Sequence, residues 1–261
     1  MTAIRPKPSS LAARIFFGSV TLLALLSAGH FFAPWLSRLS RLSRPGQPQP
    51  TFAWTHEQIS LGEELLIDEV ASDDKRAGIA AFEQGDFLSA IQNFQTSLLQ
   101  QPNDPETLIY LNNARSQHSP SDAVQIAVSI PAGNNPAIAQ EMLRGVAQAQ
   151  DAINELGIHG AQLEIVIAND DNNEAQALAI APKLIADAQI LAVIGSNASD
   201  PSLAAAALYN PAGLTMISPT SFSGRLSNFG AHTFRTIPNM KSLAEALARH
   251  AIEQGKAKMA I

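Results

Sequence analysis

In the second half of the chain, four short apolar runs alternate with longer stretches of mixed polarity. AVQIAVSI (123–130), LEIVIA (163–168), ILAVIG (190–195) and LTMISP (214–219) are bounded by polar residues, Gly or Pro. Such runs predict strands buried on both faces. The intervening stretches place small and apolar residues at helical spacing, from about Ala139 to Leu156, then up to about Asp187, then after Ser199. Strands alternating with helices of this length predict parallel βαβ units and an α/β, doubly wound sheet. Pro182 falls inside one of these helical stretches and is expected to kink or split it. A short strand, HTFRTIP, and a helix from about Met240 to Gln254 follow. The last residues, AKMAI, look like the start of another strand, so the chain reads as a fragment.

The first half has a different pattern. Residues 1–36 comprise a polar, basic start and an apolar run from Ile15 to Leu36, about the 20 residues that a bilayer requires. Phe31, Phe32 and Trp35 stand at its far end, where an aromatic belt would lie. It reads as a transmembrane anchor. The rival reading is a cleavable signal peptide with an apolar core from Ile15 to Ala28. Residues 37–54, rich in Ser, Arg, Pro and Gln, read as a linker. Residues 55–118 read as helical, with breaks at Gly85-Asp86 and at Pro102 to Pro105. Ala77, Ala80 and Ala81, then Phe87, Ala90, Ile91, Phe94 and Leu98, resemble the paired helices of a tetratricopeptide repeat. One repeat and part of a second rarely stand alone. A spacer packed on the next domain and a groove for a protein partner are both open readings.

Charge narrows the class of partner. The first 50 residues carry six basic residues and no acid, which leaves 11 basic against 23 acidic residues in the rest, a net −12. An acidic body argues against nucleic acid. The chain has no cysteine, which removes disulfides, zinc thiolates and thiol catalysis. Its six histidines lack ligand spacing, and the dinucleotide, P-loop, HExxH and GxSxG motifs do not occur. The expectation is therefore a protein with no catalytic residue, no metal and no cofactor.

Candidate chemistry lies in two loops at predicted strand ends. Ser196, Asn197, Ala198 and Ser199 follow ILAVIG, and Thr220, Ser221, Phe222 and Ser223 follow LTMIS. In open α/β sheets, ligands sit beyond the carboxyl ends of the strands. Pro201 suggests the first turn of a helix with Ser199 or Asp200 as N-cap. Free N–H groups and hydroxyls there could hold a carboxylate; alternatively, Ser199 only caps its own helix. Asp170 and Asp171 are expected to cap a helix or to sit in the turn rather than to bind metal.

From Val124 onward, IAVSIPAG, LRGVAQAQDAIN, LEIVIANDD, ILAVIGSNAS, AGLTMISPTS and TFRTIP resemble, in order and spacing, the first lobe of the branched-chain amino-acid binding proteins. These are type I periplasmic binding proteins of ABC importers. The anchor with KRAGIAAFEQGDFLSAIQNF and NDPETLIYLNNAR is similar to the front of cyanobacterial members. The resemblance implies an incomplete first lobe over residues 123–261. It also implies that Ser199, with Ala198 beside it, meets a ligand carboxylate, and that Thr220, Ser221 and Phe222 meet carboxylate and ammonium. Phe222 stands where the family commonly has threonine, and Ile138 near where an aromatic often covers the ligand. The function so implied is capture of a branched-chain or similar amino acid for an ABC permease, by a membrane-anchored protein on the extracytoplasmic (periplasmic) side. With the second lobe outside this chain, weak binding or none is expected. The alternative is a membrane-anchored sensor or scaffold, in which the same lobe reports occupancy and the helical segment recruits a partner.

Overall fold

A computed structural model describes residues 58–68, 71–158 and 160–256. The apolar runs form a six-stranded sheet of order β1-β3-β2-β4-β5-β6. Its strands are β1 (Ile59–Ser60), β2 (Ala123–Ile130), β3 (Gln162–Asn169), β4 (Ile190–Ile194), β5 (Thr215–Ser218) and β6 (Thr233–Arg235). Every pairing is parallel except that of β1, which lies antiparallel on β3 with Ile59 opposite Ala168. The protein is thus an α/β fold with a mostly parallel sheet. β1 falls in a segment expected to be helical. Its two residues form a strand because the β3 edge offers them ladder partners, a non-local reason.

Among the described residues, seven α-helices accompany the sheet: α1 (Asp73–Glu83), α2 (Phe87–Gln100), α3 (Pro105–His118), α4 (Pro136–Leu156), α5 (Glu174–Ala186), α6 (Ser199–Ala212) and α7 (Met240–Glu253). Their starts follow local chemistry. Ser72, Asp86, Asp104, Asn135, Asn173 and Asn239 each accept a hydrogen bond from the backbone three residues on, as N-caps do. One expectation is corrected here. Pro182 lies inside a continuous α5, so it neither ends nor splits the helix. Burial of Ala177, Ile180, Ala181 and Leu184 on one side offsets the single lost N–H. Asn173 caps α5, so of the two places expected for Asp170 and Asp171 they take the turn.

Strand residues alternate between two cores. Val128, Ile130, Ile165 and Ile167 face Leu143 and Ala147 of α4, together with Phe94 of α2 and Ile109 and Tyr110 of α3. Ala127, Val166 and Ala168 face Ile180 and Leu184 of α5 and Ala206 and Tyr209 of α6. Helices cover both faces, and the helical segment 73–118 shares its core with the sheet.

Side-chain amides close the β3 edge where β1 stops. Asn113 of α3 accepts from the Ile165 N–H at 3.0 Å and donates to the Ile165 carbonyl at 2.8 Å, as a neighbouring peptide group would. It also donates to the Leu61 carbonyl. Gln150 and Asn154 of α4 serve Leu163 in the same way. An open edge would present these groups to another chain.

Near this edge Glu164 is buried, accepting from Gln117 and Gln125 at 2.9 Å each. Burial pushes its carboxyl above the ordinary value of 4.5. A carboxyl raised on folding gives stability that is present below the unfolded value and lost as pH rises through the folded one. Glu164→Gln lacks that loss. Urea midpoints should therefore shift in favour of the variant as pH rises from about 4.5 towards neutrality; a constant difference across that range would refute the assignment.

The anchor and linker expected over residues 1–54, and the strand expected at AKMAI, lie outside the described residues. Among the described residues, no helix is long and apolar enough to cross a membrane.

Candidate functional site

The parallel part of the sheet begins at β2, steps to β3 on one side, then crosses back to β4 on the other. The strand order therefore reverses between β2 and β4, the place in open α/β sheets where ligands sit beyond the carboxyl ends of the strands. Four loops meet around it: those following β2, β3, β4 and β5.

Gly195 is the hinge of the β4 loop. Its φ of +130° is one that side chains rarely adopt, and a Cβ there would lie 2.7 Å from the Ser129 carbonyl oxygen. Only glycine lets β4 run this close to β2. The chain then turns into α6, where the structure corrects the expected cap. Ala198, not Ser199 or Asp200, occupies the N-cap position, and no side chain caps the helix. Ser199 is the first helical residue. Its hydroxyl lies 2.9 Å from that of Ser221, joining the β4 and β5 loops.

The other expected residues gather at the same place. The Thr220 hydroxyl donates to the Asn197 carbonyl at 2.7 Å. Ser221 is 1% exposed, so its hydroxyl serves to hold Ser199, which is itself half-buried. The Phe222 side chain is exposed, while its carbonyl accepts from the Met240 N–H at the start of α7. Ile138, in the first turn of α4, is also exposed.

Sequence reasoning passed over Asn172 and gave Asp170 beneath it only a cap or turn role. The Asn172 side-chain oxygen accepts from the Ala198 N–H at 3.2 Å and from the Asn197 side-chain amide at 3.3 Å, tying the β3 loop to the β4 loop. Below it, Asp170 is buried and accepts from the Ser129 hydroxyl at 2.6 Å and from the Asn172 N–H at 3.0 Å. Burial raises its carboxyl above 3.8, although hydrogen bonds from Ser129 and Ser196 and from the Asn172 backbone partly offset this. Tyr209 of α6 is pushed up by burial and by the Asp170 charge. Asp171 accepts from Asn134 of the β2 loop. A polar run, Asn169 to Asn173, at a third strand end was the available sign of these roles. Among the described residues, no group of three or more His, Asp or Glu side chains could hold a metal ion.

An uncapped helix start flanked by serine and threonine hydroxyls offers hydrogen-bond donors without a cation. It is the kind of place that accommodates a small anionic group.

Comparison with known proteins bears on this geometry. Residues 123–261 match the family described as "Periplasmic binding protein". Two curated relatives from Pseudomonas aeruginosa are similar. One, an amino acid binding protein, is 32% identical over 117 residues, covering 44% of this chain and 31% of its own. The other is a leucine-, isoleucine-, valine-, threonine- and alanine-binding protein, 33% identical over 120 residues, or 45% of this chain and 32% of its own. An ABC transporter substrate-binding protein from Desulfitobacterium hafniense, solved in complex with Leu, is 35% identical with a TM-score of 0.48. That likeness covers 51% of this chain and 40% of the other. The chain spans about a third of the length of the curated relatives it matches. With more than half of its residues, 123–261, matched by the family's own pattern, this chain belongs to the periplasmic binding protein family.

Proposed function

We propose that this chain carries one lobe of an extracytoplasmic solute-binding protein that captures an amino acid for an ABC importer. The observation that carries the reading is the Ser199 hydroxyl. It is not spent on capping α6, and Ser221 holds it at an uncapped helix start. There it donates, together with helix N–H groups, to the ligand's carboxylate. Thr220 and the backbone of Ala198 and Phe222 line the remainder of the polar pocket. A second lobe closes over the ligand by hinge motion and supplies the acid for its ammonium group. The curated relatives' amino-acid specificity supports this choice of solute. The apolar run Ile15–Leu36 tethers the protein to the membrane on the extracytoplasmic side. No bond is made or broken in the process, so the protein is not an enzyme.

With one lobe, leucine should bind at millimolar strength, about −4 kcal/mol. Titration of the ¹⁵N-labelled chain with leucine should shift the amide resonances of Ser199 and Thr220. Ser199→Ala should abolish those shifts while leaving the rest of the spectrum in place. Unmoved Ser199 and Thr220 amides at roughly ten times that concentration would overturn the assignment.

A further inference from the structure

Ser199 is held at two ends. Ser221 fixes its hydroxyl, and the backbone on its amino side is fixed by Asn172. We propose that Asp170 and Asn172 are positioning residues of the Ser199 site, locking the helix start in the orientation that presents its donors. The inference rests on the reading of that site as ligand-binding.

Three observations carry it. The first is backbone conformation: Asp171 and Asn172 both have φ of +54°, the left-handed region that non-glycine residues visit rarely. Two consecutive residues there form a tight turn whose first residue, Asp170, holds it by hydrogen bonds. Asp170 supplies one by accepting the Asn172 N–H, and its own carbonyl accepts the Asn173 N–H at 2.8 Å.

The second is connectivity. Asp170 is anchored on β2 through Ser129 and, through its own N–H, on the Ile130 carbonyl at 3.1 Å. Asn172 then reaches across to Ala198 and Asn197, and the Asn197 carbonyl receives the Thr220 hydroxyl. A continuous set of hydrogen bonds thus joins the ends of β2, β3, β4 and β5.

The third is stoichiometry at the helix start. Asn172 satisfies the N–H of Ala198, the N-cap residue, and so holds the helix start from outside, while α6 has no side-chain cap of its own. An oxygen arriving from a neighbouring loop leaves the Ser199 hydroxyl uncommitted to the helix. A local Ser, Asp or Asn cap would have used its own side chain and closed over the first-turn N–H groups. The helix start is thus held from a neighbouring loop and not closed over by a cap of its own.

The test separates positioning from folding. Asn172→Gly tolerates the left-handed turn and removes only the side chain, whereas Asn172→Asp keeps an acceptor oxygen. In the ligand-free full chain, hydrogen exchange of the Ala198 amide should quicken about tenfold in Asn172→Gly and return towards wild type in Asn172→Asp, while Ile165 and Val166 amides stay protected. The leucine-induced shifts at Ser199 should need about tenfold more leucine in Asn172→Gly than in wild type. Asp170→Asn, which weakens the same turn from beneath, should quicken Ala198 exchange as well. Unchanged Ala198 exchange in Asn172→Gly would overturn the inference, as would quickened exchange with an unaltered leucine response. If wild type itself gives no leucine shifts while Ala198 exchange responds as expected, the connection stands and the ligand reading fails.

Discussion

Replacing Lys75 by methionine is expected to destabilise the protein by about 3–5 kcal/mol near neutral pH, the cost of breaking a buried ion pair from one side. Lys75 is fully buried, with its ammonium 2.8 Å from Asp104 and 2.7 Å from Glu106. Neither acid is free to relax into water. Asp104 also caps α3, accepting from the Thr107 N–H and hydroxyl. Glu106 accepts from the Leu66 N–H and the Tyr110 hydroxyl. One cation thus stands between two acids, and its loss leaves both charges buried and facing each other. Burial already raises the Glu106 carboxyl above 4.5, with Lys75 the chief opposing influence. Without that cation the carboxyl rises further, so folding takes up protons. The deficit should therefore shrink as pH falls towards about 4.5 and grow as it rises. Urea unfolding at both ends of that range checks the sign, and a deficit that is small at neutral pH would show the cluster to be dispensable. Adding Asp104→Asn and Glu106→Gln to Lys75→Met should recover much of the loss, since neutral partners no longer need the ammonium.

Gly195→Ala is expected to cost about 2–4 kcal/mol, the sum of an unfavourable φ and an overpacked contact. The Cβ would meet the Ser129 carbonyl oxygen at 2.7 Å and the Ser129 Cβ at 2.8 Å. Neither can swing aside as the end of a long side chain would, because Ser129 is in the central strand and bonded to Asp170. Any accommodation must move the β4 loop, and with it Ala198 and Ser199. Leucine-induced shifts at Ser199 should weaken together with thermal stability. Gly145→Ala offers the contrast. It lies inside α4 with no atom within 4 Å of the added Cβ, so the change should stabilise by about 0.5–1 kcal/mol. A Gly195→Ala variant as stable as wild type would mean that the approach of β4 to β2 does not depend on glycine.

Much of this architecture was legible in the residues because it follows from local rules. Apolar runs of strand length, separated by stretches with small and apolar residues at helical spacing, place β2 to β5, α4 and α7 within a few residues of their observed bounds. The polar character of the loops after β4 and β5 was equally plain, and the structure brings Ser199, Thr220 and Ser221 together. What periodicity could not convey depended on partners distant in sequence. β1 exists because β3 has an edge to cover, and Asn113 completes that cover from 52 residues away. Pro182 stays helical because its helix has a buried face on the sheet. α6 has no side-chain cap, and its N-cap residue Ala198 is held by Asn172, 26 residues earlier, whereas the adjacent Ser199 or Asp200 was expected to cap. Hydrophobic pattern and capping chemistry act over one or two turns and determine which elements form. The hydrogen bonds that orient Ser199 join the ends of four different strands, and only the packed sheet brings those ends within reach of one another.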